Sequence, residues 1–139
     1  MKALCLAVLC GLLPLAAMSE DAGASAELLT RGGTDILGRP LAYPTGAPDV
    51  TVAVVTLPPG AETGWHSHEV PLVGHMIAGV LTVDYGTRGT RVYRQGDALI
   101  EAVDWPHNGR NEGTEPVRIL AVYIGAKGMD NATPEPGPR

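Results

Sequence analysis

From residue 49 onward, apolar and polar positions alternate with a period of two, and no stretch after residue 27 keeps a helical period for three turns. Asp49 to Leu57 (Asp-Val-Thr-Val-Ala-Val-Val-Thr-Leu) is rich in β-branched residues and bounded by Pro48 and Pro58-Pro59, which predicts a strand. Leu72 to Ile77 and Val80 to Tyr85 predict two more, separated at Ala78-Gly79. Gly86-Thr87-Arg88-Gly89 reads as a hairpin turn into Arg91-Val92-Tyr93, and Ala98-Leu99-Ile100 follows a turn at Gln95-Gly96-Asp97. Val117 to Ile124 is the longest and most apolar run. Short strands divided by turn signals predict an all-β sandwich or barrel over residues 49–126.

The two ends of the chain read differently. Lys2 precedes an uncharged stretch from Ala3 to Met18, and Ala24-Ser25-Ala26 gives an A-x-A cleavage pattern. The apolar run falls short of the roughly 20 residues that a spanning helix needs. Residues 1–26 are therefore expected to be a signal peptide, with cleavage after Ser19 or Ala24 as alternatives, and the protein to be exported to the periplasm or secreted. Residues 27–48 form an N-terminal arm whose Leu28, Leu29, Ile36, Leu37 and Leu41 need burial, on a partner subunit or on the barrel's own edge. The Pro-rich polar residues 127–139 are expected to be a disordered tail.

Charge and cysteine content narrow the field. The 139-residue chain has a formal net charge of -5, and no basic run marks a nucleic-acid or anionic membrane surface. Cys5 and Cys10 both lie in the signal segment, so the mature chain has neither a disulfide nor a thiolate and stands on its core alone.

Only four histidines are present: His66, His68, His75 and His107. His66-Ser67-His68 is an H-x-H pattern, and strand alternation places both imidazoles on one face, where two neutral rings can share a divalent metal. On a regular strand Leu72, Gly74 and Met76 point inward and His75 outward, unless a bulge near Gly74 reverses them.

The spacing around these histidines resembles that of the cupin superfamily. Its first motif, a Gly, five residues, H-x-H, three or four residues, a Glu, six residues and a Gly, is met by Gly60, His66, His68 and Gly79. The second motif is met by Gly96, His107 and Asn111, with Ala102 and Asp104 where the motif has Pro and Gly. The motif's Glu falls at Leu72, which cannot ligate a metal. The resemblance implies a cupin β-barrel, also described as a double-stranded β-helix or jelly roll. It further implies metal ligation by His66, His68 and His107, and a homodimer. Three imidazoles suit Fe, Zn, Mn, Cu or Ni, and the donor set does not choose among them. Glu101, on the approach to His107, and Glu69, beside His68, are the carboxylates that could replace the missing Glu. Trp105 is placed as a pocket wall, with Leu72 and Met76 as its apolar floor.

Two functions follow from this reading. One is a metal-dependent oxygenase, lyase or isomerase acting on a small, weakly polar organic substrate. The other is a non-catalytic exported cupin that binds a metal or small ligand. No Tyr or Lys can be placed in the barrel mouth from the sequence, so no proton-transfer group is assigned.

Overall fold

A computed structural model describes residues 23–137, so most of the expected signal peptide lies outside the described residues. Nine strands follow in chain order: β1 (Pro48–Leu57), β2 (His66–Ser67), β3 (Leu72–Ala78), β4 (Val80–Asp84), β5 (Thr90–Arg94), β6 (Ala98–Ile100), β7 (Asn108–Arg110), β8 (Val117–Ala126) and β9 (Thr133–Pro134). Apart from one short 3-10 turn at Gly86–Arg88, the described residues contain no helix.

The strands form a four-stranded sheet in the order β1-β8-β3-β6, a three-stranded sheet β5-β4-β7 and a two-stranded ribbon β2-β9, and every strand pairing is antiparallel. Period-two alternation turns one face of each larger sheet inward. Leu57, Met76, Leu99 and Val117 from the first sheet meet Leu81, Val83 and Tyr93 from the second, with Tyr85 and Ala102 completing the cluster. Without a Phe, this core is closed by aliphatics and two tyrosines. The architecture is an all-β sandwich or jelly roll, the fold that the resemblance implied.

The inward parity expected on β3 holds, since Leu72, Gly74 and Met76 are buried. A register shift does occur on β3, but between Met76 and Ala78, beyond His75, so His75 stays on the outer face opposite Leu120 and Ala98. The motif glycine Gly79 turns the chain from β3 into β4 with φ 81, and a Cβ there would stand 2.8 Å from the Pro116 carbonyl oxygen.

The arm divides in two. Ile36 and Leu37 pack on the core, and the Ile36 N–H donates to the Ile100 carbonyl at 2.8 Å, so this part pads the barrel's own edge. Asp35 pins the turn by accepting from the N–H groups of Leu37 and Arg39, each at 2.9 Å. Leu28 and Leu29 stay exposed.

The tail corrects the expectation of disorder. Residues 133–134 pair with β2, the Glu135 N–H donates to the Trp65 carbonyl at 2.9 Å, and the Ser67 hydroxyl donates to Glu135 Oε1 at 2.7 Å. Prolines at 134 and 136 are compatible with this because β9 needs only one bonding edge, and that edge is supplied by intervening residues.

Candidate metal centre

Backbone pairing, rather than side-chain attraction, brings the three histidines together. His66 and His107 form an antiparallel bridge in which the N–H of each donates to the carbonyl of the other, at 3.0 and 2.9 Å. His68 is held by a second bridge to Val103, with the Asp104 N–H donating to the His68 carbonyl at 2.8 Å. Alternation around Ser67 then sends the rings of His66 and His68 the same way. The ring centroids lie 4.9, 4.5 and 5.0 Å apart, and one nitrogen from each ring falls within 4.8 Å of the others.

Each ring is oriented by a carbonyl behind it. Nδ1 of His66 lies 2.8 Å from the Gly64 carbonyl, Nδ1 of His68 lies 2.7 Å from that of Asn131, and Nδ1 of His107 lies 2.8 Å from that of Trp105. A carbonyl only accepts, so Nδ1 carries the proton in all three rings and Nε2 keeps its lone pair. This arrangement of ligand and outer partner is the one that raises ligand basicity and fixes ring direction in metal sites. Burial lowers His68 from 6.5 to about 3 and His107 from 6.5 to about 4. The neighbouring imidazoles push the same way, while the hydrogen bonds to Asn131 and Trp105 oppose them. The two buried rings are therefore neutral at pH 7, the form that binds a metal.

The trio opens on a cavity of about 100 Å³ between the two larger sheets. Val55, Leu81, Val83, Leu99 and Ile119 make its wall apolar, with Leu72 among the lining residues as expected. Met76 and Trp105 are not, which corrects their placement in the pocket. Met76 is fully buried in the core cluster, one step deeper along β3. Trp105 donates its indole N–H to the Tyr85 carbonyl at 3.0 Å and carries the Arg88 guanidinium 5.4 Å from its ring centroid, so it braces the loop that delivers His107.

Of the two candidate carboxylates, Glu69 is exposed and lies off the cavity. Glu101 lines it, with Oε2 4.0 Å from Nε2 of His107. Its other oxygen, Oε1, accepts from the Tyr85 hydroxyl at 2.8 Å and the Ala102 N–H at 2.7 Å. The Tyr85 hydroxyl also lies 3.1 Å from that of Tyr93. Burial raises the Glu101 carboxyl above its ordinary value, opposed by those two hydrogen bonds. Burial likewise pushes Tyr93 up to about 12 and raises Tyr85 further.

Sequence reasoning missed three contributors. Tyr123 lines the cavity, its ring 5.6 Å from that of His68, and shares the inward parity of Ile119 and Ala121 on β8. That parity was the available signal. Thr63 also lines the cavity, and its hydroxyl accepts from the Gly109 N–H at 2.9 Å. The Asn131 carbonyl had no sequence signal, because a backbone group inside a Pro-rich tail has none to give. The motif's Asn111 is structural: its amide donates to the carbonyls of Leu57 and Glu115, both at 2.9 Å, and ties the end of β7 to the end of β1.

Comparison with known proteins identifies the family. The Cupin domain family matches residues 53–123, over half of the chain, and the protein belongs to that family. No curated protein matches the chain significantly. Among solved structures, a DMSP lyase is similar at 21% identity and TM-score 0.54 over 63% of this chain and 44% of its own. An oxalate decarboxylase from Lactobacillus farciminis is similar at 20% identity and TM-score 0.53 over 61% and 26%. A cupin domain from Bordetella pertussis shows 24% identity and TM-score 0.49 over 62% and 99%. The chain thus spans less than half the length of the two enzymes, and their likeness is one of fold.

Proposed function

We propose that the protein holds one divalent transition metal on His66, His68 and His107 and acts there on a small organic substrate, as an oxygenase, lyase or isomerase. The observation that carries this reading is the set of three neutral imidazoles, each backed by a carbonyl, turning their free nitrogens toward one cavity. Three nitrogen donors fit Fe, Zn, Mn, Cu or Ni, and an ion that takes five or six ligands keeps a position for a substrate whether the protein supplies three donors or four. The metal, when bound, would supply Lewis-acid or oxygen-binding chemistry.

The protein's own residues do the rest. The apolar wall formed by Val55, Leu81 and Ile119 excludes water and selects a compact, weakly polar molecule. Tyr123 and Glu101 place a hydroxyl and a carboxyl in that wall, so the cavity is not uniformly uncharged as the sequence suggested. This ionisable group favours the enzyme over a purely ligand-binding role. Given the apolar wall, small neutral compounds are the first to assay, with DMSP and oxalate, the charged compounds named for the similar structures, as the contrast.

The test is metal content by mass spectrometry after purification without chelators, with His107→Ala as the control. Near-stoichiometric metal that is lost in the variant supports the reading. A wild-type protein that takes up none of the five metals on reloading overturns it. Export rests on the leader pattern in residues 1–26 and is tested by cell fractionation with N-terminal sequencing of the mature chain.

We also infer that a second copy of this chain covers the outer face of the four-stranded sheet. Val50, Val52 and Val54 stand there 56%, 63% and 47% exposed in one row. The register sets Ile124, Val122 and Leu120 beside them, with Val73 and His75 next on the same face, so the row is aliphatic apart from His75. Sedimentation velocity should find a dimer that Val52→Lys dissociates; a wild-type monomer overturns the inference.

A further inference from the structure

The cupin motif carries its metal-binding Glu at the position of Leu72, on β3. The carboxylate nearest the three histidines comes instead from the strand paired with β3. Val73 faces Ile100 and Gly74 faces Leu99, so the next pair outward is Leu72 with Glu101, and the Glu101 N–H donates to the Leu72 carbonyl at 2.9 Å. Directly opposed residues in an antiparallel ladder share a face, with Cβ atoms roughly 4.5–5.5 Å apart. Glu101 therefore stands one strand across from the motif position and lines the same cavity, but it lies outside the trio whose ligand atoms fall within 4.8 Å of one another, so ligation requires its carboxylate to move toward the imidazoles.

We propose that Glu101 is the fourth protein ligand of the metal centre, entering from the end of β6 in place of the Glu that β3 lacks. This rests on the metal-binding reading above and goes beyond it by naming a ligand outside the family's motif. Three observations support it. Glu101 is buried, 6% exposed, where a carboxylate is rarely found without a partner. Its two oxygens are differentiated: Oε1 is fixed by Tyr85 and Ala102, while Oε2 is turned toward Nε2 of His107 at 4.0 Å. Tyr85, fully buried and bonded to both Glu101 and Tyr93, holds the carboxylate as an outer partner holds a ligand.

The alternative is that Glu101 serves only the buried tyrosine network. Glu101→Gln separates the two, because its amide oxygen can still accept from Tyr85 and Ala102 while the anionic ligand is gone. Zinc titration calorimetry and the visible spectrum of the cobalt-loaded protein are the readouts. The expected result is zinc affinity lower by about 10-fold to 100-fold or more, the range typical of disturbed metal sites, with a changed cobalt spectrum and a cooperative melt. A Gln variant with unchanged affinity and cobalt spectrum overturns the proposal and leaves the three-histidine site standing. A wild type that binds neither ion overturns the metal reading itself, and this proposal with it. If the Gln variant does not fold, a crystal structure of the zinc-loaded wild type decides. Glu101 Oε2 within about 2.2 Å of the ion supports ligation, and an intervening water overturns it.

Discussion

Nδ1 of His68 donates to the backbone carbonyl of Asn131 at 2.7 Å, so a residue of the C-terminal tail fixes the direction of a candidate metal ligand in the barrel. The tail is held there by Asn131 Nδ2 donating to Thr51 Oγ1 at 3.0 Å and by the pairing of β9 with β2. Truncation after Asp130 should leave the two larger sheets and their core in place, since none of the core cluster lies beyond Val117. It should lower metal affinity by about 10-fold to 100-fold through loss of the partner behind His68. Titration calorimetry checks the affinity, and a cooperative melt checks the fold. Unchanged affinity would mean that the ring needs no tail to orient it.

Acid should destabilise the metal-free protein in a defined window. In the unfolded chain these histidines titrate near 6.5, whereas His68 is lowered to about 3 and His107 to about 4 in the fold. Between about 4 and 6.5 the unfolded state binds more protons, so stability is complete above 6.5 and falls as pH drops. Glu101 works in the opposite direction: its raised value means that stability declines as pH climbs above the ordinary carboxyl value of 4.5. Two histidines act against one carboxyl, so the net expectation is a melting temperature that rises toward pH 6.5 and does not rise beyond it, since above that point only the Glu101 contribution is left to change. Scanning calorimetry of the chelator-treated protein across this range checks it. His68→Gln should flatten the slope.

How much of this was legible in the sequence follows from which forces leave a trace in residue type. β1 and β8 were plain because both are long and rich in β-branched residues, whose strand preference shows directly in residue type even where, as at Val50, Val52 and Val54, the side chains are exposed. The three histidines were legible as a set because the chain spaces them as the cupin motifs do. β7 was missed: Asn108-Gly109-Arg110 has no apolar alternation, yet Asn108 and Gly109 are buried. Its place is set by hydrogen bonds, the Asn108 amide donating to Glu62 and the Gly109 N–H to Thr63, which composition does not display. The cross-strand pairing of Leu72 with Glu101 was hidden for a related reason. Register is a property of two segments together, and no single one of them encodes it.

Gly79 was recognisable as a motif position, and the structure supplies its reason. At φ 81, with the Pro116 carbonyl oxygen 2.8 Å and Val117 Cα 2.9 Å from where a Cβ would sit, the neighbours are backbone and cannot step aside. Gly79→Ala should therefore destabilise by about 2 kcal/mol or more, combining left-handed strain with overpacking. Chemical denaturation measures this. A loss under about 0.5 kcal/mol, the usual scale of a neutral surface change, would show that the β3–β4 turn can shift.

Asp104 occupies the place where the second motif has Gly, and it is the non-glycine residue with positive φ, at 49, among the described residues. Asp tolerates this region better than most residues, but the conformation still carries a penalty that Gly does not. The turn is anchored without the Asp side chain, by the Asp104 N–H on the His68 carbonyl at 2.8 Å and by Arg39 donating to the Asp104 carbonyl at 3.2 Å. Asp104→Gly should thus raise stability by up to about 1 kcal/mol and leave metal content unchanged. A destabilised variant would show that the carboxylate contributes more than the backbone strain it brings.

The opposition of Leu72 and Glu101 permits a reciprocal exchange. Leu72→Glu alone sets two buried carboxyls against one another, and the metal-free protein should melt lower because like charges at close range cannot both ionise. Combining Leu72→Glu with Glu101→Gln returns the carboxylate to the motif's position and leaves an amide to accept from Tyr85 and Ala102. The double variant should recover most of the zinc affinity lost in Glu101→Gln, since either strand can present an oxygen to the same three imidazoles. Calorimetric titration of the four proteins gives the coupling directly. If the two substitutions prove additive, with no recovery in the double variant, then the two positions do not serve one ligand site and the cavity reads its carboxylate only from β6.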